Sequence, residues 1–189
     1  MQSEIKFNKC YVIRHAERFD FKYSLNWLMR YLFSSEDINF NNTPITRKGF
    51  IDACKLATYI YLSDYFVPDV IYCSPYLRCK QTAAAFKFIY GKFGYNVNIV
   101  INPLLSETTY DEIINNKISK RIENIYNKLM NSGKFKNIIL ITHANIVNDL
   151  SNIYNGNDVT NYFSRMYKAQ SMDYLSTCIF DKNVIHKYF

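Results

Sequence analysis

Cys10-Tyr11-Val12-Ile13-Arg14-His15-Ala16-Glu17-Arg18 is the stretch from which the rest of the chain is read. Four apolar residues in a row predict a buried strand, and the charged residues after them fall where a strand gives way to a loop. In open α/β sheets ligands bind beyond the carboxyl ends of the strands, so Arg14 and His15 stand where such a fold does chemistry. A neutral imidazole is a good nucleophile near neutral pH. Guanidinium groups flanking it favour a dianionic phosphate through charge-assisted, bidentate hydrogen bonds. The local chemistry points to phosphoryl transfer.

Three further strand-like runs end in residues of the same kind. Val70-Ile71-Tyr72-Cys73 leads into Ser74-Pro75-Tyr76-Leu77-Arg78, which puts Arg78 in the first turn of the next helix. The run 137–142 ends at His143, and the shorter run 97–101 is followed by Pro103-Leu104-Leu105-Ser106-Glu107. A lone histidine at a strand end is ordinarily structural. If these strands are parallel, however, Arg14, His15, Arg78, Glu107 and His143 all emerge on one edge of one sheet, where active sites of this architecture lie.

The same residues carry a family resemblance. Arg14-His15, Thr46 and Gly49 within Pro44-Ile45-Thr46-Arg47-Lys48-Gly49, Ser74-Pro75 with Arg78-Cys79-Lys80-Gln81-Thr82-Ala83, and Thr142-His143-Ala144 stand in the order seen in the histidine phosphatase (phosphoglycerate mutase-like) superfamily. The resemblance spans about residues 9–178. Within the superfamily the chain is most similar to the phosphatase domain of the suppressor-of-T-cell-receptor-signalling (Sts) proteins, through 14–18 with Asp20, 44–46 and 70–83. It departs from the family pattern at Ala16, where glycine is usual. A loop with negative φ tolerates alanine there and a left-handed one resists it. The interval from Glu107 to His143 is also shorter than in the Sts proteins, so substrate specificity does not transfer with the catalytic machinery.

The resemblance implies a role for each site residue. His15 attacks phosphorus through one ring nitrogen while the other donates to a backbone carbonyl and fixes the tautomer. Arg14, Arg18, Arg78 and His143 grip the equatorial oxygens. Glu107 protonates the leaving oxygen and then activates the water that hydrolyses phosphohistidine. Asp111 and Glu112 lie close to Glu107 in sequence and compete for that assignment, though both also suit a helix N-terminus. An Asp directly after the second histidine marks the acid-phosphatase branch, and here Ala144-Asn145 follow His143.

Composition bounds the alternatives. At 189 residues the chain is expected to form one domain, with no linker, repeat or low-complexity tract to divide it. The formal charge of +7 suits an anionic substrate, but the basic residues are scattered and no nucleic-acid motif appears. No apolar stretch approaches the roughly 20 residues needed to span a bilayer, and Met1-Gln2-Ser3-Glu4-Ile5-Lys6 lacks a signal-peptide pattern. Five cysteines without scaffold-like spacing fit a reducing compartment, so a cytoplasmic protein is expected. Most of the 17 tyrosines and 14 phenylalanines read as core.

Periodicity gives the coarse organisation. Helices are expected over 21–33, from an N-cap at Thr46 to about Leu62, over 76–93, over 111–131 and over 144–154, with a hairpin over 173–188 turning at Asp181-Lys182-Asn183. In the second of these, Ile51, Cys54, Leu56, Ala57 and Ile60 form the apolar stripe. The polar loop 34–43 lies next to the pocket and suits a lid.

Two rival chemistries fail. Cys73 and Arg78 are separated by four non-glycine residues including Pro75, whereas the cysteine-dependent tyrosine phosphatases need a five-residue, glycine-containing cradle. Neither the histidines nor the cysteines have metal-ligand spacing, so no metal and no cofactor are expected.

The expectation is a three-layer α/β/α sandwich with a mainly parallel central sheet, phosphoglycerate mutase-like, that hydrolyses phosphomonoesters of a protein or small molecule through a phosphohistidine. Phosphoglycerate mutase-type transfer and an inactive phosphate-binding scaffold are the alternatives. Mutases usually continue Arg-His-Gly-Glu with Ser and then Trp-Asn, where this chain has Arg18-Phe19-Asp20. The Sts domains pair, so the resemblance also raises a homodimer.

Overall fold

The computed structural model describes residues 6–19, 42–109, 112, 117–154, 171–181 and 185–186. The expected helix over 21–33 lies outside them, as does the proposed lid over 34–43 apart from Asn42 and Thr43.

Six strands form one sheet among the described residues: β1 (Lys9–Arg14), β2 (Val70–Cys73), β3 (Asn98–Ile101), β4 (Asn137–Thr142), β5 (Thr177–Asp181) and β6 (Ile185–His186), in the order β3-β2-β4-β1-β5-β6. The first four run parallel, and β5 and β6 are antiparallel to their neighbours. Each central strand is buried on both faces, which is why its sequence is a continuous apolar run rather than an alternating one. The register brings the strand ends level: Arg14 lies opposite Thr142, and Cys73 lies opposite both Ile141 and Ile101.

Alternate strand residues enter two separate cores. Tyr11, Ile13, Ile71, Cys73, Ile139 and Ile141 pack on α1 (Arg47–Asp64) and α2 (Leu77–Lys92) through Ala53, Ala57, Ile60, Ala83, Phe86 and Tyr90. Cys10, Val12, Val70, Tyr72, Ile138 and Leu140 face the other way, onto α3 (Ile118–Ile125) and α4 (Ala144–Tyr154). This is the expected three-layer α/β/α arrangement. Of the 111–131 prediction, 112 and 117–131 are described, and they include α3 and a π-helical extension, Tyr126–Met130. The expected hairpin starts at Thr177 rather than 173 because 173–176 form a turn, with the Asp173 carbonyl accepting from Ser176 N–H at 3.2 Å.

Two packing expectations are corrected. Of the expected stripe of α1, Ala57 and Ile60 are buried and Cys54 and Leu56 pack against the same core, but Ile51 is exposed, and Gly49 and Ala53 complete the buried face. Several aromatics are exposed on or near α1 and α2, among them Phe50, Tyr59, Tyr65 and Phe88, and so lie outside the core that was expected to hold most of them.

Candidate active site

The strand ends place the predicted residues together. His15 lies one residue past β1, and its backbone N–H donates to the Thr142 carbonyl at 2.9 Å, which continues the β1–β4 ladder. The residue is 3% exposed. Its Nδ1 lies 2.9 Å from the Ala16 carbonyl oxygen. A carbonyl only accepts, so Nδ1 carries the hydrogen and Nε2 keeps its lone pair. Burial, acting against the Ala16 hydrogen bond, combines with the charges of Arg78, Arg14 and Arg18 to push the imidazole down to about 3. It is therefore neutral across the physiological range. Only Tyr65 and Leu175 have positive φ among the described non-glycine residues, so Ala16 has the conformation that alanine tolerates.

The loop after β1 is anchored by the entrance to α1. Thr46 caps that helix as expected, its Oγ1 accepting from Gly49 N–H at 2.8 Å, while its own backbone N–H donates to the Glu17 carbonyl at 2.8 Å. A Cβ on Gly49 would stand 2.5 Å from the Glu17 oxygen, so the close approach itself requires glycine. Arg18 forms an isolated antiparallel bridge with Ile45, which holds it half-buried beside this junction.

Arg78 is fully buried in the first turn of α2. Its Nη2 donates to Glu107 Oε2 at 2.6 Å and to His143 Nδ1 at 3.2 Å, and its guanidinium lies 4.5 Å from the centre of the Tyr76 ring. The arginine side chain has only donors, so His143 Nδ1 is the acceptor and Nε2–H donates to Ser74 Oγ at 2.9 Å. His143 is 1% exposed, and burial together with Arg78 holds its imidazole down at about 2. The His15 and His143 rings are 5.4 Å apart.

Glu107 follows a short 3-10 turn, Pro103–Leu105, after β3. Two hydrogen bonds fix that turn to neighbouring strands: Thr142 Oγ1 donates to the Leu105 carbonyl at 2.7 Å, and Asn102 N–H donates to the Cys73 carbonyl at 2.8 Å. The Glu107 side chain is 45% exposed, so it joins a buried cation to the solvent side of the site. Glu112 is occupied elsewhere. It accepts from Thr109 N–H at 3.0 Å and pairs with Arg121 at 3.2 Å. Asp111 lies outside the described residues.

Arg14 is half-buried, with its guanidinium donating to the Met172 carbonyl and lying 4.5 Å from the centre of the Tyr174 ring. Its Nε is buried without a hydrogen-bond partner among the described residues. Burial lowers its pKa from the ordinary arginine value. Cys73 is a buried strand residue whose thiol is pushed up to about 11 by desolvation, which is the wrong direction for a nucleophile.

Four contributors were not assigned roles from sequence: Ser74, Tyr76, Met172 and Tyr174. Ser74 and Tyr76 flank Pro75 directly after a strand, a position that could have identified them. Met172 and Tyr174 reach Arg14 from far along the chain, with no local motif. The assembled site holds a neutral imidazole with a free lone pair, three guanidinium groups, a second imidazole and one carboxylate. This set can bind a dianion and move both a phosphoryl group and a proton.

The chain is 26% identical over 157 residues to an uncharacterized phosphoglycerate mutase family protein of Acanthamoeba polyphaga mimivirus, a match covering 72% of this chain and 74% of that protein. Its fold is similar to the phosphoglycerate mutase of Bacillus anthracis, with a TM-score of 0.61, 12% identity and coverage of 100% of this chain and 93% of the other. It is also similar to the ecdysone phosphate phosphatase of Bombix mori, crystallised with tungstate, with a TM-score of 0.56, 18% identity and coverage of 91% and 88%. The model of the histidine phosphatase superfamily (branch 1) matches residues 10–116, more than half of the chain, and the chain belongs to that superfamily.

Proposed function

We propose that the protein is a phosphomonoester hydrolase working through a phosphohistidine on His15. The observation that carries this reading is the Nδ1 hydrogen bond to the Ala16 carbonyl, which leaves Nε2 of a neutral imidazole as the nucleophile among three arginines. In the first half-reaction Nε2 forms a bond to phosphorus as the P–O bond to the leaving group breaks. Arg14, Arg18 and Arg78 stabilise the charge on the equatorial oxygens. Glu107 gives its proton to the leaving oxygen. In the second half-reaction Glu107 takes a proton from water, whose oxygen displaces His15 from phosphorus. His143 completes the clamp once a bound dianion favours a proton on its Nδ1.

Hydrolysis is favoured over mutase chemistry by Arg18-Phe19-Asp20 after the histidine motif. Phosphotyrosine, suggested by the Sts resemblance alone, and a small phosphorylated metabolite are the two substrate classes proposed. A cytoplasmic location is in keeping with the five cysteines, all of them free. Among the described residues no helix is long and apolar enough to cross a membrane.

The test is phosphate release from an aryl phosphate and from phosphotyrosine, set beside isomerisation of phosphoglycerate. Steady release of inorganic phosphate without isomerisation is expected. Isomerisation with little release would make the protein a mutase, and neither activity would make it a binding module.

A further inference from the structure

The structure commits Arg78 to the group that has to act as the acid. A carboxylate bonded to a guanidinium at 2.6 Å is the ionised form, and a general acid needs the proton that this form lacks. The same Nη2 also holds His143 Nδ1 as an acceptor. The His143 ring that shares Arg78 lies 5.4 Å from the ring of His15, so the guanidinium stands beside the nucleophile, where a transferring phosphoryl group would sit. Two anions then share one buried cation. When like charges crowd a site in this way, one of them takes up a proton. Glu107 is the candidate, because its side chain is 45% exposed and open to protons from solvent.

We propose that a dianionic phosphate and Glu107 compete for Arg78, so that substrate binding itself loads onto Glu107 the proton that it later delivers to the leaving oxygen. This rests on the reading of the site as a phosphomonoesterase centre and deepens it. One proton enters from solvent with the dianion and passes from Glu107 to the leaving oxygen as the P–O bond breaks. Water then reprotonates Glu107 as its oxygen bonds phosphorus and the P–N bond breaks. When inorganic phosphate departs, Arg78 recovers the carboxylate and the proton returns to solvent. The arrangement keeps the acid discharged until a phosphoryl group is present.

The other charged or titratable groups facing this pair are Arg14 and His15 from the β1 end, Arg18 beyond it, Cys79 on α2, Arg121 on α3, whose guanidinium donates to Thr108 Oγ1 at 3.0 Å, and His143 after β4. Both imidazoles can also gain a proton beside a dianion, so the test must isolate the contribution of Glu107. Tungstate serves as the probe, since it remains a dianion near neutral pH and is not turned over. Calorimetric titration of the full chain with tungstate, in buffers of different ionisation enthalpy at about pH 7.5, counts the protons taken up.

Glu107→Gln should take up about one proton fewer than wild type and should bind tungstate several-fold more tightly, because no anion then competes for Arg78. The tungstate affinity of wild type should fall about tenfold more per unit rise in pH than that of the variant. Equal proton uptake by the two proteins, or weaker binding by Glu107→Gln, would overturn the proposal and leave the phosphatase reading standing. Failure of wild type to bind tungstate at all would instead overturn the reading of the site as a phosphate centre.

Discussion

A guanidinium with no solvent exposure is costly unless other groups compensate it, and Arg78 is compensated by Glu107, His143 and the Tyr76 ring. Those partners define what the residue does: it holds the charge that a phosphoryl group needs and sets the tautomer of the second imidazole. Arg78→Ala should lower kcat by roughly two orders of magnitude or more. Arg78→Lys keeps the charge without the fork and should recover only part of the loss. Steady-state kinetics on an aryl phosphate checks both, and an unchanged kcat for Arg78→Ala would remove it from the clamp. His15, Arg78, Glu107 and His143 were legible in the sequence because each lies at or shortly after the end of an apolar run. The role of Ser74 was not, because it depends on an imidazole 69 positions away.

At the scale of elements, the site depends on how closely α1 approaches the loop after β1. Thr46 and Gly49 serve both the helix and the loop, one as cap and the other as the point of contact. Gly49→Ala would drive a Cβ into the Glu17 backbone, and overpacking of this kind costs about 1–3 kcal/mol. The thermal midpoint should fall, and kcat should fall with it because the displaced loop carries His15, Ala16 and Arg18. Wild-type stability in the variant would mean that the helix and loop separate without strain. The cap at Thr46 was readable from local sequence. The stripe was readable in part, with Cys54, Leu56, Ala57 and Ile60 on the core, but periodicity does not mark where that face ends, and so Ile51 was assigned inward. The Met172–Tyr174 contact with Arg14 joins distant segments and leaves no local pattern.

Taken as a whole, the molecule buries two imidazoles in their neutral forms, which makes its stability depend on pH. Unfolded histidines titrate near 6.5, while burial holds His15 at about 3 and His143 at about 2. Between those values the unfolded chain binds more protons than the folded one. The stabilisation is therefore fully present above about pH 6.5 and is lost progressively as the pH falls towards the folded values. Between pH 7.5 and pH 5 each histidine removes about 2 kcal/mol. His15→Gln should lessen that loss by about this amount, measured by denaturant unfolding at the two pH values. An identical pH dependence in the variant would mean that the imidazole is protonated in the folded state. At this scale the mainly parallel sheet was expected from apolar runs broken by helical periods, whereas the strand order and the antiparallel pairing of β5 beside β1 depend on long-range contact alone.

The measurement that bears most directly on the account is the chemical identity of the phosphoenzyme. Wild type mixed with a labelled aryl phosphate and quenched without acid should carry label on His15, stable in base and labile in acid, and His15→Ala should carry none and lose nearly all turnover. Label on Cys73, or full turnover by His15→Ala, would contradict the account.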